Sequence, residues 1–135
     1  MPASSLLVDG KTMLNVKRVY ERAAESDGLR ILVDRLWPRG VSKAEAKVHG
    51  WMKDIAPSDK LRRWFQHDPD RWDEFRRRYM KELESKEGDV AMLLRHAREG
   101  DLTLVYSARD ERHNNAVVLK EFLDTRVRAG RSRRR

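Results

Sequence analysis

The chain has 135 residues, enough for one domain that buries roughly two-thirds of the surface it exposes when unfolded. Its formal net charge is +8, but Arg126–Arg135 hold six arginines and no acid, which leaves the first 125 residues at +2 (24 basic against 22 acidic) and weakens any case for a nucleic-acid binder by bulk charge. The absence of cysteine excludes disulfides, thiolate metal sites and a cysteine nucleophile, and together with the lack of an apolar stretch near the ~20 residues a bilayer span needs, it predicts a cytoplasmic protein with no membrane partner.

Residues 1–12 are expected to be a disordered extension. From Leu14 to Tyr20 the apolar side chains of Leu14, Val16, Val19 and Tyr20 alternate loosely with Asn15, Lys17 and Arg18, which predicts a half-buried strand. After a turn at Ser26-Asp27-Gly28, Arg30–Leu36 contains the run Ile31-Leu32-Val33 expected of a strand covered on both faces, ended by Trp37-Pro38-Arg39-Gly40. Ser42 with Glu45 three positions on reads as a capping box for a short helix over Lys43–Lys47, and Ser58 predicts a second helix to about His67. Asp68-Pro69 then opens a longer helix with Trp72, Phe75, Tyr79 and Leu83 on one face, closed by Gly88. Asp89 is expected to cap a further helix through Val90, Leu93, Leu94 and Ala97, with Gly100 as a left-handed stop. Leu102–Tyr106 predicts a second buried strand, and a helix follows from about His113 to Leu123. The arginine-rich end, residues 126–135, is expected to be disordered.

Strands alternating with helices predict an α/β domain over residues 13–125, with a small, largely parallel sheet flanked by helices. Six of the ten aromatics, Trp51, Trp64, Phe65, Trp72, Phe75 and Tyr79, fall in one helical insert, expected to cap one sheet edge with its own apolar cluster.

In parallel sheets ligands bind beyond the carboxyl ends of the strands. Two loops qualify here. One carries Arg35, Arg39 and Lys43; the other carries Ser107, Arg109, Asp110, Arg112 and His113 and leads into a helix N-terminus. Together they predict a basic pocket for phosphate or carboxylate, in which arginine can grip an oxyanion bidentately. The plainer alternative has Arg35 paired with a nearby carboxylate and Arg39 solvated. Asp110 reads first as a helix cap. In a second reading it orients His113 for acid–base work beside Ser107. The four histidines have no zincin spacing, and no P-loop or dinucleotide fingerprint occurs, so neither a metal nor a cofactor is expected.

The segments VDRLWPRGVSK (Val33–Lys43), LRRWFQHDPDRWDEFRRRY (Leu61–Tyr79) and LVYSARDERHNNAVVL (Leu104–Leu119) resemble the YeaO-like family of domains of unknown function, over Leu14 to about Leu123. The resemblance implies a compact α/β domain. It carries over Arg35, Trp37, Pro38, Arg39, Gly40 and Lys43 as one signature, Trp64, Phe65 and His67 as a second, and Tyr106, Ser107, Asp110, His113 and Asn114 as a third. It brings no established reaction. More distant relatives place a cysteine in the loop after the last strand, where this chain has Ser107-Ala108.

The function expected is binding of a small anionic ligand at the strand C-terminal edge. Arg35, Arg39, Lys43 and Arg109 would be charge contacts, with His67 and Asn114 among the ligand-binding residues. Trp37 and Trp64 would form walls, and Asp110, His113 and Ser107 would be groups able to move a proton. The alternatives are nucleic-acid binding through Arg126–Arg135 with Arg71, Arg76, Arg77, Arg78 and Lys81 of the long helix, or a protein-interaction module or homodimer using the exposed aromatics.

Overall fold

Period-two alternation decides the two faces of the sheet. In the computed structural model, which describes residues 6–8 and 12–133 and the side chains of 13–127, the strands are β1 (Leu6–Val8), β2 (Thr12–Arg18), β3 (Leu29–Leu32), β4 (Gly50–Trp51) and β5 (Leu102–Tyr106). Their order is β1-β2-β5-β3-β4. β2, β5, β3 and β4 run parallel, and β1 joins antiparallel at the edge of β2. The fold is therefore the α/β class expected, with a largely parallel sheet.

Leu14, Ile31, Val33, Leu102, Leu104 and Tyr106 point to the front face, where they form one core with side chains of α2 (Asp59–Phe65), α3 (Trp72–Glu84), α4 (Glu87–Glu99) and α5 (Asn115–Arg133). Phe65, Phe75, Tyr79 and Leu83 belong to that same core, with Trp64 and Trp72 packed against it, so five of the six aromatics are part of the front helical layer itself and not of a separately packed cap; Trp51 instead lies in β4, exposed and against Trp37. The spacing of Phe75, Tyr79 and Leu83 puts all three on the buried side of α3, each contributing roughly 1.5–3 kcal/mol by burial. The Tyr79 hydroxyl donates to the Ile55 carbonyl at 2.7 Å and so finds its partner inside the core.

The back face is covered more thinly. Val19, Leu32 and Val105 pack with Ala46 of α1 (Lys43–Ala46) and with Trp37, Val41 and Val48 of the flanking loops. Charge is buried on this side as well: Arg30 of β3 is only 3% exposed, and Asp27, in the turn just before that strand, only 7%. Arg30 donates from Nη1 to Asp27 (2.7 Å), from Nη2 to the Ala46 carbonyl (2.8 Å) and from Nε to the Lys47 carbonyl (3.1 Å). Lys17 reaches the same carboxylate at 3.0 Å. Burial pushes the Asp27 carboxyl up, but the Ala24 amide and the Lys17 and Arg30 cations outweigh it and hold the group below its ordinary value of 3.8.

Several boundaries differ from those the sequence predicts. β3 stops at Leu32 because the next rungs are replaced: Val33 still donates to the Val105 carbonyl, but Ser107 donates to the Asp34 side chain. α3 ends at Glu84, and Gly88 and Asp89 lie inside α4, whose N-cap position is Lys86. Gly100 has extended backbone (φ −178°), so it is not a left-handed stop. α5 is capped by Asn114, whose Oδ1 accepts from the Val117 amide, and not by Asp110. That helix runs to Arg133, well into the segment expected to be disordered, while residues 134–135 lie outside the described residues. At the other end, Leu6–Val8 of the expected disordered extension pair with β2. The capping box of Ser42 with Glu45 and the Ser58 cap form as predicted. Gly28 has φ +63°, and a Cβ there would lie 2.3 Å from the Asp101 carbonyl oxygen, so no larger residue fits the entry to β3.

Arg30→Met should leave Asp27 buried with only Lys17 opposite it and two carbonyls without their donor, lowering unfolding free energy by about 3–5 kcal/mol in urea titrations. Because the Asp27 pKa is lowered on folding, its contribution is fully present above pH 3.8 and is lost as pH falls through the lower folded value; the wild-type advantage should narrow there. Tyr79→Phe, which leaves the Ile55 carbonyl unpaired, should cost about 1–2 kcal/mol by the same assay.

Candidate functional site

All four parallel strands end on one rim, and the two loops singled out from sequence start there side by side. Asp34, two residues beyond β3, and Ser107, one beyond β5, are joined directly: the Ser107 amide (2.9 Å) and hydroxyl (2.8 Å) both donate to Asp34 Oδ2. Asn115, in the first turn of α5, donates to the Val33 carbonyl at 3.0 Å and also acts on the Asp34 carboxylate. Burial pushes the Asp34 carboxyl above its ordinary 3.8, even though the Ser107 bonds, Asn115 and His67 pull it down.

A second tie runs through the end of β2. Arg18 Nε donates to the Ala108 carbonyl at 2.8 Å, its guanidinium lies over the Tyr20 ring, and the Tyr20 hydroxyl donates to the Arg39 carbonyl at 2.9 Å. Trp37 turns its indole N–H onto the Val41 carbonyl (2.6 Å) and meets Trp51 edge-on, while Trp51 donates to the Asp34 carbonyl at 2.7 Å. Gly40, at φ +76°, makes the bend that lets the loop turn back.

The loop from Ser107 to Asn114 is organised by Asp110. Its Oδ1 accepts from the Arg112 and His113 amides, its Oδ2 meets His113 Nδ1 at 2.8 Å, and its carbonyl accepts from the Asn114 side chain. The His113 bond is the largest influence holding the Asp110 carboxyl below 3.8. The imidazole also stands edge-on against Trp72 of α3, with centroids 4.9 Å apart.

The residues predicted from sequence therefore divide. Ser107, Asp110, His113 and Asn114 share the β5–α5 loop at the rim. Arg39 is exposed on the β3–α1 connection, Lys43 is exposed in the first turn of α1, and Arg109 is exposed two positions after Ser107; none of the three forms an ion pair among the described residues. Arg35 follows the plainer alternative: it donates to the Pro57 and Ala56 carbonyls and lies near Asp59 and Asp54. Trp64 is covered by the guanidiniums of Arg71 and Arg78, and His67 stands 6.0 Å from the Phe65 ring. The Ser107 hydroxyl goes to Asp34 while His113 goes to Asp110, so no serine–histidine link forms between the three residues expected to move protons. On α3, Arg76 pairs with Glu121 and both Arg77 and Arg78 pair with Glu74; Arg71, just before the helix, sits near Asp68. Among the described residues no cluster of three or more acids and histidines could hold a metal ion, and no helix is long and apolar enough to cross a membrane.

Asp34, Arg18 and Asn115 are the rim residues that sequence reasoning passes over. Asp34 left one signal: an acid interrupts the apolar run ILV before Arg35, at the end of a strand.

Comparison with known proteins adds the family. A family model described as the inactive DUF488-N3 subclade matches residues 13–134. The chain is 43% identical over 110 residues to the uncharacterized protein YeaO of Escherichia coli K12, covering 82% of this chain and 96% of that protein. It is 40% identical over 116 residues to the uncharacterized proteins Mb3100c of Mycobacterium bovis and Rv3073c of Mycobacterium tuberculosis H37Rv, in each case covering 86% of this chain and 98% of the relative. No solved structure matches. The rim motifs, the matched length and these identities place the chain in the YeaO-like family, within the inactive DUF488-N3 subclade.

Proposed function

We propose that the chain binds a small anionic ligand, carrying phosphate or carboxylate, at the C-terminal rim of its parallel strands, without turning it over. The observation that carries this reading is the placement of exposed cations at the strand ends. Arg39 in the loop after β3, Lys43 at the start of α1 and Arg109 in the loop before α5 form no ion pair among the described residues; Lys60, Arg63 and Lys81 of the helical layer share that state, but Arg39 and Arg109 have it in the loops that leave the rim. Cations held on ordered loops beside a helix N-terminus are suited to an oxyanion, and arginine adds bidentate geometry. Arg35 is engaged elsewhere, so the charge contacts fall to Arg109, Arg39 and Lys43, with His113 and Ser107 as polar neighbours. The separation of Ser107 from His113 and the description of the subclade as inactive both favour binding over catalysis.

In a titration with phosphate monoesters and dicarboxylates followed by amide chemical shifts, residues 107–114 should move first. Arg109→Ala and Arg39→Ala should each weaken binding about ten-fold, or about 1.4 kcal/mol. Unperturbed spectra with every anion at millimolar concentration would remove the reading. A second reading, nucleic-acid contact through Arg126–Arg135, is favoured by the continuation of α5 to Arg133. Its affinity should fall steeply with salt, and a chain ending at residue 127 should lose RNA retention while keeping the anion response.

A further inference from the structure

Asp34 is the most buried acid of the rim, and the reading above gives it nothing to do. Its fixed role in the fold is to receive the amide and hydroxyl of Ser107, both on Oδ2. An asparagine could do the same with its carbonyl oxygen, and without placing a charge among apolar neighbours. Among the described residues the charge has no partner in an ion pair: Arg18 bonds the Ala108 carbonyl and Arg35 the 56–57 carbonyls, and the pull of His67 on the carboxylate does not overcome burial. Burial accordingly holds the carboxyl above its ordinary value. A negative charge kept at such a place, bonded to Ser107 two positions before Arg109, repels a bare anion and rewards a donor group attached to one.

We infer that Asp34 is a specificity residue of the rim site and selects anions that also carry a hydroxyl or ammonium group, so that the ligand class is a small hydroxylated or aminated organic phosphate or carboxylate. This rests on the anion-binding reading. The anionic end meets the loop cations, and the donor end meets the Asp34 carboxylate, where a charge-assisted bond is worth about ten-fold or more in affinity.

Four probes of similar size separate the two ideas by calorimetry or amide shifts: ethyl phosphate and propyl phosphate, which lack a donor, and phosphoethanolamine and glycerol 3-phosphate, which have one. The wild-type chain should bind the second pair at least ten-fold more tightly than the first. In Asp34→Asn the Ser107 amide, which can only donate, fixes the carbonyl of the new side chain toward itself, so the ligand meets an NH₂ in place of an acceptor. The variant should then bind phosphoethanolamine no better than ethyl phosphate, with alkyl phosphate affinity unchanged or raised, and it should remain folded at the assay temperature. Equal wild-type binding of all four probes would overturn the role of Asp34 and leave the anion site standing. Binding of none would overturn the anion site itself, and a variant that keeps the wild-type preference for phosphoethanolamine would show that Asp34 does not set it.

Discussion

The contact on which the rim depends is the double hydrogen bond from Ser107 to Asp34. β3 and β5 are neighbours in the sheet, and a regular ladder would carry them on together until one met solvent. The carboxylate intercepts the Ser107 amide instead, so both chains leave the sheet at the same level and in a fixed relation. Everything beyond that point, the Trp37–Trp51 edge on one side and the Asp110-centred loop on the other, is positioned from this junction. A buried acid with two strong donors is a stiff joint, and stiffness at a ligand site reduces what must be ordered on binding.

Strand and helix patterning made most of the fold legible. Leu102–Tyr106 is an uninterrupted apolar run because it is the central strand with both faces covered, and its limits are those the sequence predicts. α3 is equally clear, since its apolar residues recur at helical spacing. Boundaries set by one glycine or one acid were not legible. Gly88 meets nothing within 4 Å and lies in open space inside α4, where the helix tolerates it, and the turn before it is made by Ser85 and Lys86 closing onto the end of α3. β4 has two residues and no apolar alternation to reveal it.

The site was legible only in part, for a physical reason. Charge on a loop is visible in a sequence, but its partner is not. Arg35 and Arg39 look alike as neighbours in one motif. In space Arg35 serves the 54–59 segment, together with Lys86 and Tyr79, while Arg39 has only its backbone tied, by Tyr20. Asp110 likewise has the position of a cap but builds a turn of its own, and leaves the capping to Asn114. Side chains that answer to long-range partners carry no local periodicity, so Asp34 and Arg18 pass unnoticed until the strands are assembled.

The unequal clothing of the sheet has a further effect. Four long or medium helices roof the front, whereas the back has a single turn of helix and two loops, anchored by a few apolar side chains and by one arginine gripping the Ala46 and Lys47 carbonyls. Regions with few buried contacts open at lower free energy than the global transition. The 41–48 segment is therefore expected to open at a lower free energy than the helical roof, and such an opening would carry Lys43 with it while the β5–α5 side stays packed.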